Sequence, residues 1–304
     1  MSITAITIEN FKAIKEPVRI ELRPITLLFG PNSAGKSTIV HALHYAREIF
    51  ERQNLNPDRT LLGGETIDLG GFESLVHGHN LNLPIRLKFE LDLSQEDLPH
   101  YLEGYEDFSL MQWQETDLWD IPSQAASAWV EITIRWSSLC DQPLLTSYQV
   151  GINGVKLATI EPTEDGKQIN LTELIPFNPV FLGKSSPEKA QMSAVKLLEG
   201  KELSGEEIEA LGDIFLQLFD LLNDDGGVPG ITKNIALIGQ NSAMPTWGVP
   251  IQFDRSMWRK DVTFEQEGHF IQLLSSLITG PGELIRDGLS KLCYVGPLRE
   301  VPKR

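Results

Sequence analysis

Only two cysteines, Cys140 and Cys293, occur in 304 residues, too few for a disulfide framework or for a four-ligand zinc site of their own. No run approaches the roughly 18 consecutive apolar residues of a membrane span. The start, Met1-Ser2-Ile3-Thr4, has neither a basic segment nor an apolar core of a secretory leader. These absences predict a cytoplasmic protein with no membrane partner. Positive charge is also short: 26 Lys and Arg face 42 Asp and Glu, a net charge of −16, which on average repels phosphate backbones and acidic lipid. The deficit is uneven. Residues 1–60 hold 8 basic and 6 acidic residues, leaving 18 against 36 in the rest. Glu96 to Asp120 and Glu202 to Asp225 each carry eight acids and no Lys or Arg, the pattern of a solvated face or of a surface meeting a basic partner. Nucleic-acid binding stays open: no continuous basic track exists, although Arg286, Lys291, Arg299, Lys303 and Arg304 gather near the C-terminus.

What is present is ordered by period. Ile3, Ala5 and Ile8 predict one strand, and Val18, Ile20 and Leu22 a second. Ile25 to Phe29 is a continuous apolar run that predicts a central strand buried on both faces. Ser37 to Arg52 lacks Gly and Pro and spaces Ile39, Val40, Leu43, Ala46, Ile49 and Phe50 as a helix does. Ile85 to Leu93 and Val130 to Trp136 alternate apolar and polar residues, the signature of antiparallel strands. Asn153-Gly154, inside the apolar stretch Tyr148 to Ile160, predicts a hairpin. Beyond it, Pro187 to Leu198, Gly205 to Leu222, Phe264 to Thr279 and a stretch ending near Lys291 read as helices, with Gly280-Pro-Gly282 as a turn, and Leu292 to Val295 reads as a strand.

Gly30-Pro31-Asn32-Ser33-Ala34-Gly35-Lys36-Ser37, followed by Thr38, matches G-x-x-x-x-G-K-[ST] throughout. The motif stands between an apolar run and a long helix, where backbone N–H groups can wrap phosphates and the helix dipole adds to them. Lys36 would meet the β- and γ-phosphates of ATP, and the Ser37 hydroxyl would be a ligand of Mg²⁺.

Together with Ile8-Glu-Asn-Phe-Lys12, the segment Leu27 to Thr38 resembles the N-terminal lobe of ABC-type ATPases of the SMC, RecF and OLD-nuclease branch. The wording of the loop is similar to that of proteins called AAA-family ATPases, among them OLD-like and other phage-defence proteins. Ile67 to His77 and Tyr294-Val-Gly-Pro-Leu-Arg299 extend the resemblance, which covers roughly 1–93 and 292–300. It implies an α/β P-loop NTPase lobe (1–95), to which the periods read above add an antiparallel subdomain and a mixed hairpin and helical acidic insertion, mostly helical (96–290), before a return strand (291–304). It also implies a phosphate contact at Lys12 and a position like the Q-loop at His77, where no Gln is present. Family members need a signature motif and a Walker B strand ending in Asp-Glu, which follow a segment like 294–299; the chain reads as truncated before both. Hydrolysis would then need a C-terminal half or a second copy, with an effector subunit or nuclease domain as a further possible partner. Leu203-Ser-Gly-Glu-Glu207 imitates a signature and Leu218 to Asp225 a Walker B, but the apolar residues between them follow a helical period. Glu65, Asp68 and Asp92 follow no continuous aliphatic run, so no catalytic carboxylate is assigned. His41 and His44, one helical turn apart, and His77 and His79 lack the acids or cysteines that would complete a metal site. Two rival functions are a non-hydrolysing, nucleotide-dependent interaction module and a small-molecule kinase with the same loop; the acidic insertion and antiparallel strands disfavour the kinase.

Overall fold

Alternation of side chains builds most of this molecule. The computed structural model describes residues 3–30, 35–56, 71–101, 121–175, 178–182, 189, 192–193, 195–196, 201–211 and 235–293. Among the described residues the strands are β1 (Ile3–Glu9), β2 (Val18–Glu21), β3 (Ile85–Asp92), β4 (Ser127–Ser137), β5 (Gln142–Ile152), β6 (Val155–Pro162), β7 (Ile169–Leu174), β8 (Ile235–Ile238) and β9 (Gln252–Phe253). They form one sheet in the order β2-β1-β3-β4-β5-β6-β7-β8-β9, every pair antiparallel. β3 shows the logic: Ile85, Leu87, Phe89 and Leu91 are buried, while Arg86, Lys88, Glu90 and Asp92 face outward. The outer face is tied by cross-strand pairs, with Arg86 to Glu9 at 2.7 Å, Arg19 to Glu90 at 2.7 Å, and the Lys88 ammonium 4.1 Å from the centre of the Trp129 ring. The Asn153-Gly154 turn joins β5 to β6 with φ of 52° and 81°, both positive as a type I′ turn requires.

Helices are α1 (Lys36–Arg52), α2 (Gly71–Leu75), α3 (Pro179–Leu182), α4 (Gly205–Leu211), α5 (Phe264–Ile278) and α6 (Gly280–Ser290). On the inner face of the sheet, Phe50 of α1 meets Phe89 edge-on at 5.7 Å and Trp247 stacks on Phe50 at 6.0 Å. Tyr148 donates its hydroxyl to the Ile278 carbonyl at 2.8 Å. Gly288 of α6 lies against Ile3, close enough that a β-carbon there would stand 2.9 Å from it. α5 begins with a capping box between Thr263 and Gln266. Gly280-Pro-Gly282 does not interrupt the helices as a free turn. It forms the first turn of α6, where proline's missing N–H costs nothing.

The structure corrects the reading of Ile25 to Phe29. No strand forms there, and Ile25, Leu27 and Phe29 are 79%, 69% and 85% exposed. An apolar run becomes a central strand only where neighbours flank both edges. Here the sheet ends at β2, and among the described residues no parallel strand adjoins the run. The described part of the span 96–290 contributes six strands, β4 to β9, beside its described helices. Leu292 and Cys293 are not in a strand. Tyr294 to Arg304, most of 187–198, 212–222, Leu218 to Asp225, Glu65, Asp68 and the bulk of the Glu96 to Asp120 run lie outside the described residues. Among the described residues, no helix is long and apolar enough to cross a membrane.

Candidate nucleotide-binding site

After β2 the chain runs without regular secondary structure to Gly30, and α1 starts six residues later at Lys36. Pro31, Asn32, Ser33 and Ala34 lie outside the described residues; Gly30, Gly35, Lys36, Ser37 and Thr38 flank them. Gly35 is the N-cap of α1 and takes a left-handed conformation, φ 80°, that suits glycine. A glycine N-cap has no side chain with which to satisfy the first amides, and the first turn of α1 holds no acid. The positive end of this 17-residue helix therefore meets no carboxylate of its own first turn. Thr38 is buried beneath it while Ser37 is exposed. The Lys36 ammonium folds back over the loop and donates to the Gly30 carbonyl at 2.7 Å, joining the two ends of the motif. Such a bond between a loop lysine and a loop carbonyl is readily exchanged for a phosphate oxygen, a stronger, charged acceptor.

The donor set fits Mg²⁺ bound with a nucleotide. Ser37 offers one hard oxygen, and Mg²⁺ characteristically completes its octahedron with phosphate oxygens and water. Among the described residues no group of three or more His, Cys, Asp or Glu side chains gathers as a metal site, so a site built from protein ligands alone is not formed there. Asp92 is a turn cap, accepting from the Ser94 amide at 2.9 Å, and that bond holds its carboxyl below the usual range. Burial lowers the His41 and His44 pKa values, helped by the charges of Lys12 and Arg47 respectively, which favours the neutral form of both rings.

Lys12 and His77, 65 residues apart, are brought together. Lys12 donates its amide to the Leu75 carbonyl at 2.6 Å, and His77 Nδ1 lies 2.9 Å from the Lys12 carbonyl. Ala13 faces the last glycine of the loop: a β-carbon on Gly35 would stand 3.8 Å from the Ala13 Cβ. Sequence reasoning missed Asn10 and Ala13, which carry the turn to this place; the signal was an Asn at a strand end, a residue that tolerates a positive φ.

The imitation signature Leu203 to Glu207 has a plain structural role. The Ser204 amide donates to the Glu207 carboxylate at 3.0 Å, and the Glu207 amide donates to the Ser204 hydroxyl at 3.3 Å, a capping box that starts α4. Its glutamate is further engaged by Lys196. The described tryptophans are packing elements: Trp136 stacks on Phe72 at 5.7 Å, and Trp258 meets Phe253 edge-on at 6.4 Å.

No curated protein matches the chain. Residues 1–109 match the family model of an AAA ATPase domain, a span that runs from β1 through the glycine loop and α1 to beyond β3. The match supports an AAA-type ATPase family for this segment and, with it, nucleotide binding.

Proposed function

We propose that the chain binds Mg-ATP at Gly30 to Thr38 as the N-terminal half of an ABC-type ATPase of the SMC, RecF and OLD-nuclease branch, with hydrolysis completed by a C-terminal half or a second copy. The observation that carries this reading is the glycine loop opening an acid-free α1, with the Lys36 ammonium over the Gly30 carbonyl. Ser37 would hold a Mg²⁺ ion that, when bound, would supply charge neutralisation to the phosphates. Lys36 would exchange its carbonyl for a phosphate oxygen, Ser37 would hold the metal's protein-side position, and the first amides of α1 would face the anion. Nothing described supplies the group that orients an attacking water: among the described residues no aliphatic strand ends in Asp-Glu. The exposed Ile25 to Phe29 run supports the need for a partner, since an apolar segment beside an ATP loop is covered in a complete catalytic lobe. Phage defence or DNA transactions are the processes this branch serves, and either would use such a switch.

Calorimetry of the purified chain with ATP and Mg²⁺ tests the site. Lys36→Ala deletes a charged contact worth about 1.5–3 kcal/mol, so affinity falls by about 10- to 100-fold. The same protein releases phosphate far below the ~1 s⁻¹ of a slow ordinary enzyme. Unchanged affinity in Lys36→Ala refutes the site, and Lys36-dependent turnover near that rate refutes the requirement for a partner.

A further inference from the structure

The turn between β1 and β2 holds Lys12 in a conformation it does not favour. Asn10 and Lys12 have φ of 54° and 49°; Asn tolerates this region but Lys does not, and strain of this kind persists only where surrounding bonds over-determine it. Those bonds converge on one short segment. Lys12 donates its amide to Leu75, His77 donates its own amide to the Asn10 carbonyl at 3.0 Å, and the His77 ring meets the Lys12 carbonyl at 2.9 Å. Asn10 is further fixed by its side-chain amide, which donates to the Pro84 carbonyl at 3.0 Å. A carbonyl only accepts, so His77 Nδ1 carries the proton and the ring is a committed donor. Of the three bonds from 75–77, this is the one made by a side chain and therefore the one a substitution can remove.

We propose that His77 is a positioning residue of the nucleotide site: by bonding the Lys12 carbonyl it fixes Lys12 so that its ammonium reaches the phosphates held by the Gly30 to Thr38 loop. The inference rests on the nucleotide reading above and deepens it. Two observations set the turn beside the loop. Ala13 abuts Gly35. The Lys12 charge also bears on His41, whose pKa it lowers together with burial, and His41 lies on α1 close after Lys36. His77 thus acts through Lys12 and not on the γ-phosphate.

The experiment is a calorimetric ATP titration with Mg²⁺ of the full chain as wild type, Lys12→Ala, His77→Ala, their double variant and His77→Asn, whose amide nitrogen takes the place of Nδ1. Lys12→Ala and His77→Ala each weaken binding by about tenfold, the worth of one charge-assisted contact. The double variant is no weaker than Lys12→Ala, because both remove one interaction. His77→Asn restores affinity to within about twofold, a rescue that a purely packing role would not give. Without nucleotide, hydrogen exchange at the Lys12 amide speeds up in His77→Ala and is restored in His77→Asn. Additive losses in the double variant, full affinity in His77→Ala, or unchanged exchange overturn the proposal. A wild type that binds no ATP overturns the nucleotide reading and this inference with it; binding that Lys36→Ala abolishes and His77→Ala leaves intact overturns this inference alone.

Discussion

Gly35→Ala tests whether the left-handed start of α1 matters for ligand or merely for folding. A β-carbon at Gly35 has room, its nearest neighbours being Ala13 Cβ at 3.8 Å and Thr38 Oγ1 at 3.9 Å. Crowding therefore contributes little, and the cost is that of an L-residue at φ 80°, about 1–2 kcal/mol. Gly154→Ala is the matched control: its φ is 81° and nothing lies within 4 Å of the added carbon, but it stands in the β5–β6 turn. Chemical denaturation should show both variants losing the same ~1–2 kcal/mol, and in a chain of this size each kcal/mol lowers Tm by roughly 2–4 °C. Their ligand behaviour should then separate. If the loop relieves its strain by turning Gly35 toward negative φ, the following amides rotate away from the anion, so Gly35→Ala weakens ATP binding by about tenfold or more and Gly154→Ala leaves it untouched. Equal affinities in the two variants would refute the role of this backbone geometry. A stability loss at Gly35 well above that at Gly154 would refute the argument that the site has room.

Two further outcomes follow from packing and charge. A β-carbon on Gly282 would stand 2.5 Å from the Trp247 ring and 2.7 Å from the Tyr148 hydroxyl, and both neighbours are held, Trp247 Nε1 by the Phe50 carbonyl at 2.6 Å and Tyr148 by Ile278; Gly282→Ala should cost about 1–3 kcal/mol in denaturant unfolding, and a neutral result would show that α6 shifts freely. The Arg19 guanidinium holds the Glu90 carboxyl below the usual range, with Lys88 adding to it and Glu21 opposing. A lowered native pKa means that this stabilisation is complete above the unfolded carboxylate value and is lost as pH falls through the native one. The gap in denaturant midpoint between wild type and Glu90→Gln should therefore be present near neutral pH and close in acid; a gap that persists unchanged in acid defeats the assignment.

The alternating strands were legible because each buries one face, and a two-residue period leaves one register that does so: β3, β4 and the Asn153-Gly154 hairpin stand where the pattern puts them. Ile25 to Phe29 was misread for the converse reason. Hydrophobicity records that a segment prefers cover and says nothing about what provides it. β8 and β9, four and two residues long, fall in a stretch with no period to detect; they are strands because β7 offers an edge to β8, and β8 in turn to β9. The glycine loop needed only local spacing, which sequence displays in full. The bond between His77 and the Lys12 carbonyl depends on two segments that meet only once β1 and β3 have paired, and no local pattern encodes that meeting.

The order of strands has a consequence for how the protein is made. From β3 to β9 each strand pairs with the next one synthesised, so the sheet can grow as the chain leaves the ribosome, with loops of two to six residues to close from β4 to β7 and longer connections at β3–β4 and β7–β8. α1 is different. It is made among the first residues, but part of its cover comes from far along the chain: Trp247 donates to Phe50, and Arg47 donates to the Leu292 carbonyl at 3.0 Å, 245 residues away. A nascent chain shorter than about 290 residues thus holds α1 on the sheet through Phe50 and Phe89 but lacks the bond from Arg47 to Leu292. Part of the cover of α1 is therefore laid down only when α6 closes over a segment translated long before.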